Sequence, residues 1–115
     1  VHGWIPVKES LESDKYEYIQ GWRACDDIIW NDQATWLNGM NMCELFNIRE
    51  PGKTIVCGHF HTSWGHANLE NKCSEFGVDA DFSPYQGKGI IAIDGCVHYT
   101  GKVNCIIIDD EELDN

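Results

Sequence analysis

Apolar residues recur with a helical period through the first third of the chain. Tyr18, Trp22, Cys25 and Ile29 stand at offsets 0, 4, 7 and 11, with Ile28 widening the stripe, so the pattern predicts helix from Leu11 to about Met42. Gly21 weakens that stretch without ending it. L-N-G-M-N, Leu37 to Asn41, reads as a stop or turn, and a second short helix is expected around Met42 to Asn47. R-E-P-G-K, Arg49 to Lys53, is a turn, because proline presets one dihedral and glycine permits another.

After that turn the period changes. T-I-V-C, Thr54 to Cys57, predicts a short strand closed by Gly58, and the polar, glycine-dotted run from His59 to about Ser74 predicts loop. G-I-I-A-I-D-G, Gly89 to Gly95, predicts another strand, and Cys96 to Asp109 a hairpin turning near Tyr99 to Lys102. At the other end, V-H-G-W-I-P reads as a strand end running into a turn. Helices followed by three or so strands make an α+β fold with a mostly antiparallel sheet, not an alternating βαβ chain.

The 115 residues are enough for one core, so residues 1–108 are read as one domain and 109–115, D-D-E-E-L-D-N, as a solvated acidic tail. Nineteen acids against eight bases give a net charge of -11, which argues against binding to nucleic-acid backbones or anionic membranes. An acidic protein acting on phosphates needs metal ions to reverse the local sign. The six cysteines are never closer than nine apart, so no CxxC zinc pair exists. Cys57, Cys96 and Cys105 lie within or beside apolar runs, and with no signal peptide or membrane span in view all six are expected as reduced thiols of a cytoplasmic protein.

Three of the five histidines fall within eight residues, in T-I-V-C-G-H-F-H-T-S-W-G-H. Imidazoles at i and i+2 on a regular strand point to opposite faces, so His59 and His61 serve one centre only where the strand has ended. Gly58 supplies that freedom. Imidazole is a common donor to zinc, manganese and iron, which makes both residues candidate ligands. His2, in His2-Gly3, is a third histidine placed before a turn.

At these residues the chain resembles the calcineurin-like metallophosphoesterases. V-C-G-H-F-H is similar to their G-H-x-H motif. V-H-G-W-I-P is similar to the H-G-G-x-x-P segment of the phosphoprotein phosphatase and diadenosine-tetraphosphatase branch, and D-D-I-I-W-N-D, Asp26 to Asp32, to its L-L-W-S-D segment. I-A-I-D-G-C-V-H-Y-T-G-K-V-N-C-I-I-I resembles the closing strand pair of the same enzymes, so four segments in order span residues 1 to about 108. The resemblance implies a four-layer αββα sandwich and a two-metal centre of manganese, iron or zinc whose bridging hydroxide attacks phosphorus. It implies His2 and His59 as ligands of the second metal and His61 as a ligand of the first. Two cations about 4 Å apart can generate the nucleophile and hold both the attacking and leaving oxygens.

The family's D-x-H, G-D-x-x-D and G-N-H segments are absent from this sequence. The resemblance therefore implies the C-terminal half of a phosphatase acting on a phosphoprotein, a dinucleoside polyphosphate or another phosphomonoester. No catalytic residue is assigned within the chain, and little turnover is expected from it alone. A half-sandwich also exposes an apolar sheet face, which invites a homodimer.

His66 reads as a loop histidine bound to backbone or as a substrate-facing group. Trp64 reads as core or as lining of the substrate mouth, and Trp30 as core or metal floor. His98 is expected on a sheet surface. Two other functions compete: a non-enzymatic metal-binding or interaction module closed by His59, His61 and His66, and a cupin-type barrel. The barrel expects a glutamate soon after HxH, and Glu70 comes too late.

Overall fold

The computed structural model describes residues 1–10, 16–22 and 34–108. It is an α+β domain of two three-stranded sheets sharing one core with a central helix. The first sheet has the order β2-β1-β3 and comprises β1 (Trp4–Glu9), β2 (Tyr16–Tyr18) and β3 (Thr35–Asn38), all antiparallel.

This first sheet corrects the helix expected from Leu11 to Met42. Within the described part of that span the chain forms two strands, with Tyr18 buried in β2, and is α-helical only from Gly39 to Met42. Y-E-Y also has a period of two, and β1 claims it: Lys8 opposes Glu17 across the ladder, with a salt bridge of 3.3 Å. Trp22 packs edge-on against Trp36 at 5.6 Å. Cys25, Ile28, Ile29, Trp30 and the Asp26 to Asp32 segment lie outside the described residues, as does the acidic tail.

V-H-G-W-I-P also differs from expectation, because Pro6 stands inside β1. One side of Pro6 accepts the Ile19 N–H at 3.0 Å, and the reciprocal N–H is the one proline lacks. The β1–β2 ladder ends there, so the proline costs a single bond.

The L-N-G-M-N stretch starts a helix rather than stopping one. Asn38 caps helix α1 (Gly39–Arg49) by accepting the Met40 N–H at 2.9 Å, an interaction worth about 1 kcal/mol. Met40, Cys43 and Phe46 bury one face of the helix, which touches both sheets. Glu50 to Gly52 then make the expected turn, with Gly52 at φ 82°.

The second sheet has the order β4-β6-β5: β4 (Ile55–Cys57), β5 (Tyr85–Gly87) and β6 (Ile90–Ala92). β4 and β6 run parallel while β5 and β6 form a hairpin, so this sheet is mixed rather than mostly antiparallel. Alternation sends Ile55, Cys57, Ile90 and Ala92 into the core beside Ile5, Val7 and Tyr18, while Val56 and Ile91 face the other way. That outer face borders a groove of about 1170 Å³, lined among others by Val1, Ile5, Trp22, Val56, Ile91 and Ile107.

Two further expectations are corrected. The run from His59 to Ser74 contains helix α2 (Thr62–Asn68), short enough to lack an amphipathic stripe; Gly65 lets it press on Met40 and Tyr85, where a Cβ would sit 3.0 Å from each. The expected hairpin from Cys96 to Asp109 is instead helix α3 (Val97–Thr100) followed by irregular chain to residue 108. Asp94 accepts the Cys96 N–H at 2.8 Å, and Thr100 Oγ1 donates to Gly95 at 2.9 Å, closing a turn where a strand would run on. His98 is thus exposed on a helix, not on a sheet. Among the described residues no helix is long and apolar enough to cross a membrane.

Candidate metal centre

The first residues of the chain run beside the exit of β4. The Val1 backbone nitrogen donates to the Val56 carbonyl at 2.9 Å, and the Gly58 N–H donates to the His2 carbonyl at 2.8 Å. These bonds link the two sheets and set His2 beside His59. Gly3 makes the approach possible: a Cβ there would lie 2.8 Å from His59 Cβ and 2.9 Å from the Gly58 carbonyl.

His59 itself is left-handed, with φ 60°, and the Phe60 N–H returns to the Gly58 carbonyl at 2.6 Å. A three-residue turn of this hand around a side-chain-bearing residue costs on the order of 1 kcal/mol or more. The turn swings the imidazole out of the strand into solvent. The ring centroids of His2 and His59 are 4.8 Å apart, and Trp4 buttresses both, at 5.2 Å from His2 and 4.2 Å from His59. Phe60 closes the cluster edge-on against Trp4 at 5.8 Å. Both histidines are exposed.

This spacing fits a shared cation. With a metal–nitrogen bond of about 2.1 Å, an imidazole centroid lies about 3.2 Å from the ion. Two such rings set between a right angle and a tetrahedral angle have centroids about 4.5 to 5.2 Å apart. The observed 4.8 Å falls inside that range. Among the described residues no three His, Cys, Asp or Glu side chains gather closely enough to hold a metal ion.

His61 keeps other company. It is the residue before α2, half-buried, with its ring against Phe76 at 5.7 Å and Phe82 at 6.4 Å. Its carbonyl accepts the Trp64 N–H at 2.9 Å, and the next N–H, of Thr62, donates to Asp94 at 2.9 Å. Trp64 is partly buried and packs on the core.

His66 is buried on α2 with both ring nitrogens engaged. Nδ1 meets the Glu70 carboxylate and Nε2 lies 3.0 Å from the Ser83 carbonyl. The residue pins the loop that follows α2, and neither nitrogen is left for a substrate or for the three-histidine module. A hydrogen bond from Lys72 holds the Glu70 carboxyl below its ordinary range, with His66 adding to the effect. Hydrogen bonds from the Ser83 hydroxyl and N–H do the same for Asp81.

The two core thiols are held in the protonated form by burial. Burial pushes Cys57 up to about 11 and raises Cys43, which donates to the Lys88 carbonyl at 3.3 Å. All five described cysteines are free thiols.

Sequence reasoning singled out the histidines but missed Gly3, Trp4 and Phe60, which hold them together. Their signal was in plain view: an aromatic residue directly follows both His2-Gly3 and Gly58-His59. Comparisons with protein-family models, with curated proteins and with solved structures return no match.

Proposed function

We propose that this chain carries part of the histidine side of a two-metal phosphoesterase centre, with His2 and His59 as ligands of one cation. The observation that carries the reading is the His2–His59 pair, two exposed imidazoles 4.8 Å apart, with His59 on a strained turn. Such strain persists where the surrounding structure holds it, and it clusters at sites that bind or react.

Divalent cations bound there would activate a water and offset the phosphate's charge, as an acidic protein requires. The chain's own part is to fix ring positions. Trp4 packs at a tilt against His59, Gly3 admits the close approach, and the bond from Gly58 to His2 locks the strand ends together. Carboxylate and asparagine ligands come, in this reading, from a segment other than the described residues. The domain is then one half of an αββα sandwich, and the groove bordered by Val56 and Ile91 is where the other half, or a second copy, packs.

Two measurements test this. Manganese added to the labelled chain should broaden the ring protons of His2 and His59 first, and His59→Ala should remove the effect at His2. Hydrolysis of p-nitrophenyl phosphate with manganese, by the chain together with any sequence preceding it in its gene, should vanish in His59→Ala. Broadening that ignores both rings, with hydrolysis indifferent to His59, would sink the proposal.

A further inference from the structure

A second aromatic group surrounds His61. Phe76 meets Phe82 at 6.3 Å and Tyr99 at 5.6 Å, Phe82 meets Tyr99 at 5.7 Å, and His61 completes the set against both phenylalanines. Three separate segments of chain contribute these rings, and backbone bonds fix them in place. The Gly77 N–H donates to the Tyr99 hydroxyl at 3.3 Å, Asn104 Nδ2 to the Phe82 carbonyl at 2.7 Å, and the Thr62 N–H to Asp94. Yet the group is not core: Phe76 is 47% exposed and Tyr99 55%. A half-exposed set of rings already held by these contacts has less side-chain freedom to lose on binding.

Its surroundings select the ligand. From Glu75 to Phe82 the loop carries Glu75, Asp79 and Asp81 and no lysine or arginine. The neighbouring Lys72 is tied to Glu70 at 2.9 Å. Ring faces and carboxylates both attract cations, and together they disfavour anionic ligands such as nucleotides. Guanidinium fits better than ammonium because it is planar, stacks on rings and sheds water more readily.

We propose that the His61–Phe76–Phe82–Tyr99 patch docks an arginine side chain of a peptide partner. That this peptide is the phosphorylated substrate, with its arginine flanking the phosphate, rests on the phosphoesterase reading; the docking itself does not. With that reading, the substrate class narrows to phosphoprotein rather than dinucleoside polyphosphate.

The test titrates the labelled, metal-free chain with acetyl-Gly-Arg-Gly-amide, and with the Gly-Gly-Gly and Gly-Glu-Gly counterparts. The arginine peptide alone should move the ring protons of Phe76, Tyr99 and His61. Phe76→Leu keeps apolar bulk without the ring and Tyr99→Ala removes an exposed side chain, so each should leave the backbone spectrum in place and weaken binding about two- to fivefold. Asp79→Asn should weaken it and flatten its salt dependence. Equal movement with the neutral peptide, or binding untouched by Phe76→Leu, overturns the proposal. Manganese response at His2 and His59 is read separately, so the patch can stand while the metal reading falls, or the reverse.

Discussion

His2 and His59 lie 57 positions apart in sequence, and their rings stand 4.8 Å apart because the Gly58 N–H bonds the His2 carbonyl and Gly3 has no side chain to separate the two strands. The pairing belongs to the backbone. It can therefore be broken without touching either imidazole.

Gly3→Ala is the change that does so. Its Cβ would meet His59 Cβ at 2.8 Å and the Gly58 carbonyl at 2.9 Å, and neither is the far end of a flexible side chain. Prising the strand ends apart should destabilise the domain by about 1 to 3 kcal/mol, the usual penalty for overpacking. Manganese affinity at His2 and His59 should also fall about tenfold or more, the effect typical of residues that position ligands. Urea unfolding and metal titration of the same variant check the two parts. An unchanged affinity would mean that the pair is not held by this contact.

The acid limb of stability should report Glu70 and Asp81. Both carboxyls titrate below their ordinary 4.5 and 3.8, Glu70 through Lys72 and then His66, Asp81 through Ser83. A lowered pKa means the folded state binds fewer protons than the unfolded one, so this stabilisation is complete above those ordinary values. It is lost as pH falls through the lowered ones. Midpoints measured from pH 7 down to pH 3 should drop in that window, and less steeply in Glu70→Gln combined with Asp81→Asn. Superimposable curves would show that the clamp around His66 adds nothing.

Thiol reactivity should follow burial. A group at about 11 holds roughly a thousandth of its thiols ionised at pH 8, and Cys57 is also buried. Among the five described cysteines, an alkylating reagent should mark exposed Cys105 first, half-buried Cys73 and Cys96 more slowly, and Cys43 and Cys57 only after unfolding. Peptide mass spectrometry at timed intervals resolves the order. Early labelling of Cys57 would mean that β4 opens far more readily than a core strand should.

The strand Ile55–Cys57, the turn after Arg49 and the helix through Met42 to Asn47 were all legible in the sequence. Each is local: apolar alternation, proline and glycine dihedrals, and an i, i+2 spacing act on a few neighbouring residues. The spacing of Tyr18 and Trp22 misled because an apolar pair four apart suits a helix as well as a strand and the turn after it. Only the free edge of β1 decided between them. Asn38 likewise reads as a breaker or as a cap, depending on which side the helix lies.

What the sequence determined by itself is an acidic chain with three histidines clustered at a strand exit. Tertiary structure alone decided which of them met. His2 joined His59 because a parallel-running N-terminus found unpaired backbone beside β4, while His61, two residues further on, was carried away by α2 into the rings of Phe76 and Phe82. Spacing along the chain fixes which side chains can be neighbours on one element. Contacts between distant elements depend on backbone hydrogen bonds and on the absence of a Cβ, and neither is written in the order of the histidines.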